Sequence, residues 1–157
     1  MGKILSDRLV QKTGIDDRID AYLNLKLAAF YCRSMEEEAY APFDITVPQF
    51  NVLRILRGAH PNGHPRYEIS RRMVEPASDV TRLLDRLEKR GLIQRVRATL
   101  DKRLTHTRIT PKGIALLDRL MPAKDAFIEK IGALLTKNEC RQLSALCEKI
   151  YGTAPER

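Results

Sequence analysis

Nine basic side chains fall between Arg82 and Arg108: Arg82, Arg86, Lys89, Arg90, Arg95, Arg97, Lys102, Arg103 and Arg108. Only Asp85, Glu88 and Asp101 oppose them, so this stretch carries +6 of the chain's formal +8. Charge gathered this densely suits the binding of a phosphate backbone. Inside the stretch, Pro76 to Gly91 reads as a short helix closed by glycine. Val80, Leu83, Leu84 and Leu87 recur on one face at helical spacing, and Ser78, Arg82, Asp85 and Lys89 centre on the other, flanked by Thr81 and Arg86. A narrow apolar seam under a face of hydroxyls and guanidiniums is the form a helix needs to enter a major groove, where such groups reach base edges. An ordinary amphipathic surface helix has the same pattern, so the residues that follow must separate the two.

Those residues are two β-prone runs, Leu92 to Arg97 and Leu104 to Ile109, joined by a polar connection that holds Asp101, Lys102 and Arg103. They predict a two-stranded basic hairpin directly after the helix. Thr81 and Arg82 are the candidates for base edges or adjacent phosphates. Arg95, Arg97 and Lys102 supply positioning charge, and Arg86 and Lys89 complete the DNA-facing set on the helix.

The elements that must hold this surface can be read on either side of it. A helix from Asp16 or Asp17 to Ala39 carries Ile19, Tyr22, Leu23, Leu27 and Phe30 on one face. Thr46 and Gln49 have the spacing of a capping box and open a second helix that runs to Arg57. Gly58 to Pro65 is a turn-rich loop. Tyr67 to Met73 forms the scaffold helix of a helix-turn-helix, and Val74 to Pro76 forms its turn. Either Pro76 marks the first turn of the reading helix, with Glu75 as a weak cap, or Ser78 caps a slightly later start. Thr110 and Pro111 open a long helix in which Pro122 should produce a kink or break, unless the helix continues at a cost of about 3 kcal/mol. Thr136 and Glu139 form a second capping box for a last helix whose apolar face is Cys140, Leu143, Leu146, Cys147, Ile150 and Tyr151. The fold class is therefore mainly α with a small β wing: one domain over residues 1–157, a winged helix-turn-helix core at 45–110, and helical flanks at 15–40 and 111–152. The central unit can bury its own core, so flanks this amphipathic predict self-association. A two-fold homodimer would set two reading helices in successive grooves of an approximate inverted repeat in double-stranded DNA.

With 43% hydrophobic and 31% charged residues, the chain is neither disordered nor membrane-spanning in composition. Its first residues lack a long apolar core, and Cys32, Cys140 and Cys147 have no paired spacing. Both features fit a cytoplasmic protein with reduced thiols and no membrane partner. His60 and His64 lack the further ligands a zinc site needs, so no metal and no cofactor is expected. The acidic residues form no acid/base constellation, and no phosphate-binding glycine loop or nucleophile elbow is present, so the chain does not read as an enzyme.

Val80 to Ile93, then Asp101-Lys102-Arg103, then Ile109 to Gly113 resembles the MarR family of bacterial and archaeal transcriptional regulators. The pairing of the helix motif with the Asp-x-Arg of the wing and the following Thr-x-x-Gly carries the likeness. The resemblance implies a homodimeric winged helix-turn-helix repressor joined through its terminal helices and released from DNA by a small molecule, in many members an anionic aromatic. It places Ser78, Thr81 and Arg82 in the groove-reading part of the helix, Arg103 in the minor groove, and Asp101 as the residue that holds the wing tip. Asp79 stands where a small polar residue is usual. An anion there must read a cytosine amine or brace an arginine. By resemblance the effector cleft lies between the flanking helices and the winged domain, where Tyr31, Arg33, Arg54 and Tyr67 could line it. Two other readings remain open: a winged-helix adaptor that binds protein, which the basic wing argues against, and a regulator that responds to thiol oxidation through Cys32.

Overall fold

The computed structural model describes residues 3–9, 16–75, 79–97 and 105–153. Ser78, Asp101, Lys102 and Arg103, singled out above, lie outside the described residues, as do Pro76 and Ala77. The elements in order are α1 (Lys3–Leu9), α2 (Asp17–Tyr40), a 3-10 turn (Ala41–Phe43), α3 (Val47–Gly58), β1 (His64–Pro65), α4 (Arg66–Arg72), α5 (Val80–Lys89), β2 (Ile93–Arg97), β3 (Thr105–Ile109), α6 (Pro111–Gly132) and α7 (Lys137–Tyr151).

The helix entrances follow local chemistry. Thr46 accepts a bond from the Gln49 amide while the Gln49 side chain accepts one from the Thr46 amide, and Thr136 and Glu139 repeat the arrangement. Each pair satisfies two amides that the first helical turn leaves unpartnered. Thr110 caps α6 by accepting from the Gly113 amide at 3.1 Å, with Pro111 preset for the first turn. Between α2 and α3 the chain turns through Asp44, which sits at φ +52, a left-handed conformation that aspartate tolerates.

The core is built from the middle of the chain. Val52, Leu53 and Leu56 of α3, Ile69 of α4, Leu84 and Leu87 of α5, Ile93 of β2 and Leu117 and Leu120 of α6 are all buried, and Tyr40 closes the cluster against Phe50. These positions interlock the helix-turn-helix, the sheet and the base of α6. Leu5 of α1 is also buried.

The structure corrects or decides the sequence reading at four points. The wing is three-stranded, in the order β1-β3-β2. The loop after α3 adds a short strand in which His64 faces Thr107 and Pro65 faces His106. That loop exceeds the length of a plain helix-turn-helix link because it reaches back to pair with β3. Second, α6 runs unbroken through Pro122. An interior proline costs the helix about 3 kcal/mol, since the carbonyl four residues back loses its amide. Here Pro122 sits on the exposed side of the helix. Third, α5 begins at Val80 with Asp79 as its cap, rather than at Pro76 or after Ser78. Fourth, the apolar faces read on α2 and on the last helix are left open within the chain, as the self-association expected of the flanks requires. Ile19, Tyr22 and Phe30 are exposed, no residue of α7 is buried, and Cys140 is exposed with Cys147 half-buried.

Candidate nucleic-acid interface

Asp79 explains how α5 begins and how its first arginine is held. One carboxylate oxygen accepts the backbone amide of Arg82 at 2.9 Å, and the other lies 3.2 Å from the Arg82 Nε. The cap therefore satisfies an amide of the first turn and also steers a guanidinium whose side chain stays 80% exposed. Of the two roles open to an anion at this position, the structure has it brace an arginine. Val80, Leu84 and Leu87 face inward, and Thr81, Arg82, Asp85, Arg86 and Lys89 face out. Among the described residues no carboxylate pairs with Arg86 or Lys89.

The far end of α5 is shaped by Gly91 at φ +70. The Gly91 amide bonds back to the Glu88 carbonyl and the Leu92 amide to the Leu87 carbonyl, closing the helix with a left-handed residue and sending the chain into β2. The glycine of Thr-x-x-Gly has a different reason. A side chain at Gly113 would place its Cβ 2.2 Å from the Leu92 carbonyl oxygen, so α6 can approach the wing's first strand only without one. Thr110 Oγ1 donates to the Gly91 carbonyl at 2.7 Å and Lys112 Nζ to the Arg90 carbonyl at 2.8 Å, fixing the same corner.

Arg95, read from sequence as positioning charge, occupies a different kind of place. Its Nη2 lies 2.6 Å from Asp85 and its Nη1 2.9 Å from Glu88, and its backbone amide donates to the other oxygen of Glu88 at 2.9 Å. A half-buried guanidinium held by two carboxylates of α5 locks β2 to that helix. Arg97, two residues further along β2, is exposed. Arg90 similarly ties the end of α5 to Asp44 through its backbone carbonyl and carboxylate.

At the base of the wing, Asn62 accepts from Arg108 Nε at 3.2 Å, and His64 lies near Arg72, Glu68 and His106. Burial, with the Arg72 charge behind it, holds the His64 pKa below the usual imidazole value. On α4, Glu68 is forked between Arg72 at 3.0 Å and Arg71 at 3.2 Å, and the Arg72 hydrogen bond is the main reason its pKa lies below the usual carboxylate range.

The four effector-cleft candidates are not brought together by any contact among the described residues. Tyr31 receives a hydrogen bond from Arg8 at 2.6 Å, Arg33 pairs with Glu75 at 2.7 Å, Arg54 borders a depression with His64 and Arg72, and Tyr67 is exposed on α4. Cys32 is exposed on α2. Sequence reasoning missed Asp44, Glu75 and Glu88 as partners of Arg90, Arg33 and Arg95. Only Glu88 carried a local signal, as an anion one turn from the exposed basic face. Among the described residues no group of His, Cys, Asp or Glu is arranged to hold a metal, and no helix is long and apolar enough to cross a membrane.

The family model described as MarR family matches residues 45–105, which span the helix-turn-helix and most of the wing. An uncharacterized HTH-type transcriptional regulator of Bacillus cereus (strain ATCC 10987 / NRS 248) is 30% identical over 139 residues, covering 87% of this chain and 91% of that protein. The crystal structure of a MarR transcription factor from Planctomyces limnophilus is 32% identical, covers 88% of this chain and 98% of that one, and superposes with a TM-score of 0.66. The chain belongs to the MarR family. It is a DNA-binding transcriptional regulator of the winged helix-turn-helix type. The structure of a mutant MarR from E. coli complexed with operator DNA shares the fold at a TM-score of 0.76 and 24% identity, covering 88% of this chain and 99% of that one. Within this MarR-family chain, Arg82, Arg86 and Lys89 of α5 and Arg97 of β2 are exposed, whereas Arg90 and Arg95 are engaged by Asp44, Asp85 and Glu88.

Proposed function

We propose that this regulator is a cytoplasmic homodimeric repressor that sits on an inverted-repeat operator and leaves it when a small molecule binds. The observation that carries the reading is a pairing of two surfaces. The outer face of α5 presents Thr81, Arg82, Arg86 and Lys89 beside a basic strand, and the flanking helices keep Ile19, Tyr22, Phe30, Leu143, Leu146 and Ile150 exposed. The first surface suits one half-site, with Arg82 and Thr81 at base edges and Arg97 and Lys102 on phosphates. Arg103 enters the minor groove where it is narrow and its potential most negative. The second surface joins two copies. In the E. coli MarR structure the fold is seated on operator DNA, and that docking is carried over here as a reading of this chain. Ser78 and Asp101 keep the roles the family pattern gives them, at the start of the reading helix and at the wing tip.

Repression follows from occupying a promoter. Release follows if the dimer has two arrangements and the effector favours the one whose reading helices no longer match the groove spacing. The test is selection of bound sequences from random double-stranded DNA. The expected product is an inverted repeat whose half-site centres lie about 34 Å apart, one helical turn. Recovery of an unrepeated motif, or of no motif at near-physiological salt, overturns the reading.

A further inference from the structure

A cavity of about 100 Å³ lies between α2, α3 and the segment that leads from α4 into α5, lined by Glu36, Val47, Pro48, Asn51, Met73, Val74 and Glu75. That is several times the space one water requires, enough for a small organic molecule. Its apolar wall comes from Val47, Pro48, Met73 and Val74. Its polar wall holds one carboxamide and two carboxylates. The Asn51 carboxamide oxygen is buried without a hydrogen-bond partner among the described residues. Glu36 uses one carboxylate oxygen to accept from the Tyr40 hydroxyl at 3.0 Å, and Glu75 uses one to accept from Arg33 at 2.7 Å. Each carboxylate has a second oxygen to offer. Arg33, the cation that answers Glu75, is not part of the lining.

Buried acceptors without donors are rare in folded proteins, and one on a cavity wall points to a molecule that supplies the donor. We infer that this cavity is the effector site and that it takes a small organic cation, an ammonium or amidinium on a compact apolar body, rather than the anionic aromatic expected from the family resemblance. The Asn51 oxygen and the two carboxylates accept the ligand's N–H groups, and the aliphatic wall takes its body. A carboxylate ligand would face two like charges, with no cation among the described lining residues to answer it. The site also has a route to DNA. Val74 and Glu75 follow α4, six and five positions before the start of α5, and the Arg33–Glu75 pair fastens them to α2. A cation on the second oxygen of Glu75 weakens the hold of Arg33 on that carboxylate and with it the tie between the flank and the winged domain. This inference rests on the reading of the protein as an effector-released regulator.

The test uses the full chain and three probes of matched shape: benzylamine, benzyl alcohol and benzoate. Calorimetry on the protein without DNA should show benzylamine binding, benzyl alcohol binding more weakly, and benzoate not binding. Asn51→Leu should weaken benzylamine by about tenfold or more, as loss of a charge-assisted hydrogen bond implies, and Asn51→Asp should tighten it. Thermal unfolding confirms that each variant is folded, and the two substitutions act in opposite directions, so a general loss of structure cannot imitate the result. Benzoate binding as well as benzylamine, no binding of benzylamine at millimolar concentration, or equal affinity in both variants overturns the inference. A mobility shift run in parallel separates the two readings. Protein without ligand that fails to discriminate any DNA sequence defeats the proposed function, whereas calorimetry alone decides the chemistry of the cavity.

Discussion

At the residue scale, the contact between Asp79 and Arg82 decides what the tip of the reading helix offers to DNA. The carboxylate caps α5 through the Arg82 amide and holds the guanidinium of the same residue at 3.2 Å. Asp79→Ala removes both functions and should lower stability by about 1 kcal/mol, as loss of an N-cap does. Asp79→Asn keeps a capping oxygen and removes the charge. It should leave unfolding nearly unchanged, tighten binding to all DNA, steepen the salt dependence by about one phosphate contact, and reduce discrimination between operator and random sequence. Arg82→Ala should reduce that discrimination by about 1 to 3 kcal/mol without the gain in general affinity. Anisotropy titrations over a salt series measure both, and a salt slope unaltered in Asp79→Asn would sink the bracing role. His64 supports a prediction in pH. Its folded pKa lies below the unfolded value because of burial and Arg72, so the unfolded chain binds the extra proton. Stability contributed here is present above the unfolded imidazole pKa and is lost as pH falls toward the folded one. Melting temperature should therefore drop between about pH 7 and pH 5 more steeply in the wild type than in His64→Gln. Parallel curves would show that the titration of His64 is not coupled to folding.

At the element scale, β2 is tied to α5 because Arg95 is clamped by Asp85 and Glu88. Arg95→Ala leaves two carboxylates without their cation and should cost about 1 to 2 kcal/mol of stability. DNA of every sequence should bind more weakly, since the freed anions flank the phosphate-facing surface. A double-mutant cycle with Glu88→Gln isolates the pair, and strictly additive effects would show that the clamp carries no coupling energy. The same clamp shows where sequence reading reached its limit. Both capping boxes, the Thr110-Pro111 entrance and the inward seam of α5 were legible because each depends on residues within one turn of each other. The pairing of Arg95 with α5 and of β1 with β3 spans from 7 to more than 40 positions along the chain. Spacing does not encode such contacts. The Gly58 to Arg66 loop looked too long because its strand partner lay so far downstream, and Asp79 looked out of place because its role as a cap depended on where the helix begins. The lining of the cavity was least legible of all, since Glu36, Asn51 and Glu75 come from three separate segments.

At the scale of the whole molecule, the distribution of burial separates a finished core from unfinished flanks. Buried side chains run from Tyr40 to Leu120, apart from Leu5, whereas α7 presents Leu143, Leu146, Ile150 and Tyr151 at 49% to 63% exposure and α2 presents Ile19, Tyr22 and Phe30 at 52% to 60%. Two long helices with apolar faces open to water need a covering surface, and in the proposed dimer a second copy of the chain supplies it through a two-fold axis. The proposed dimer makes a prediction that separates folding from assembly. Leu146→Glu with Ile150→Glu places two charges on the α7 face and none in the core, so circular dichroism should remain that of a folded protein. Sedimentation should shift to the 18.0 kDa chain. Affinity for a full inverted repeat should fall by about a hundredfold or more, because the second reading helix is no longer tethered at high effective concentration, while affinity for a single half-site should hardly change. If the variant still sediments as a dimer, α7 is not the joint. If it is monomeric yet binds the full operator like the wild type, each winged domain reads DNA alone, and the symmetry of the operator must have another cause.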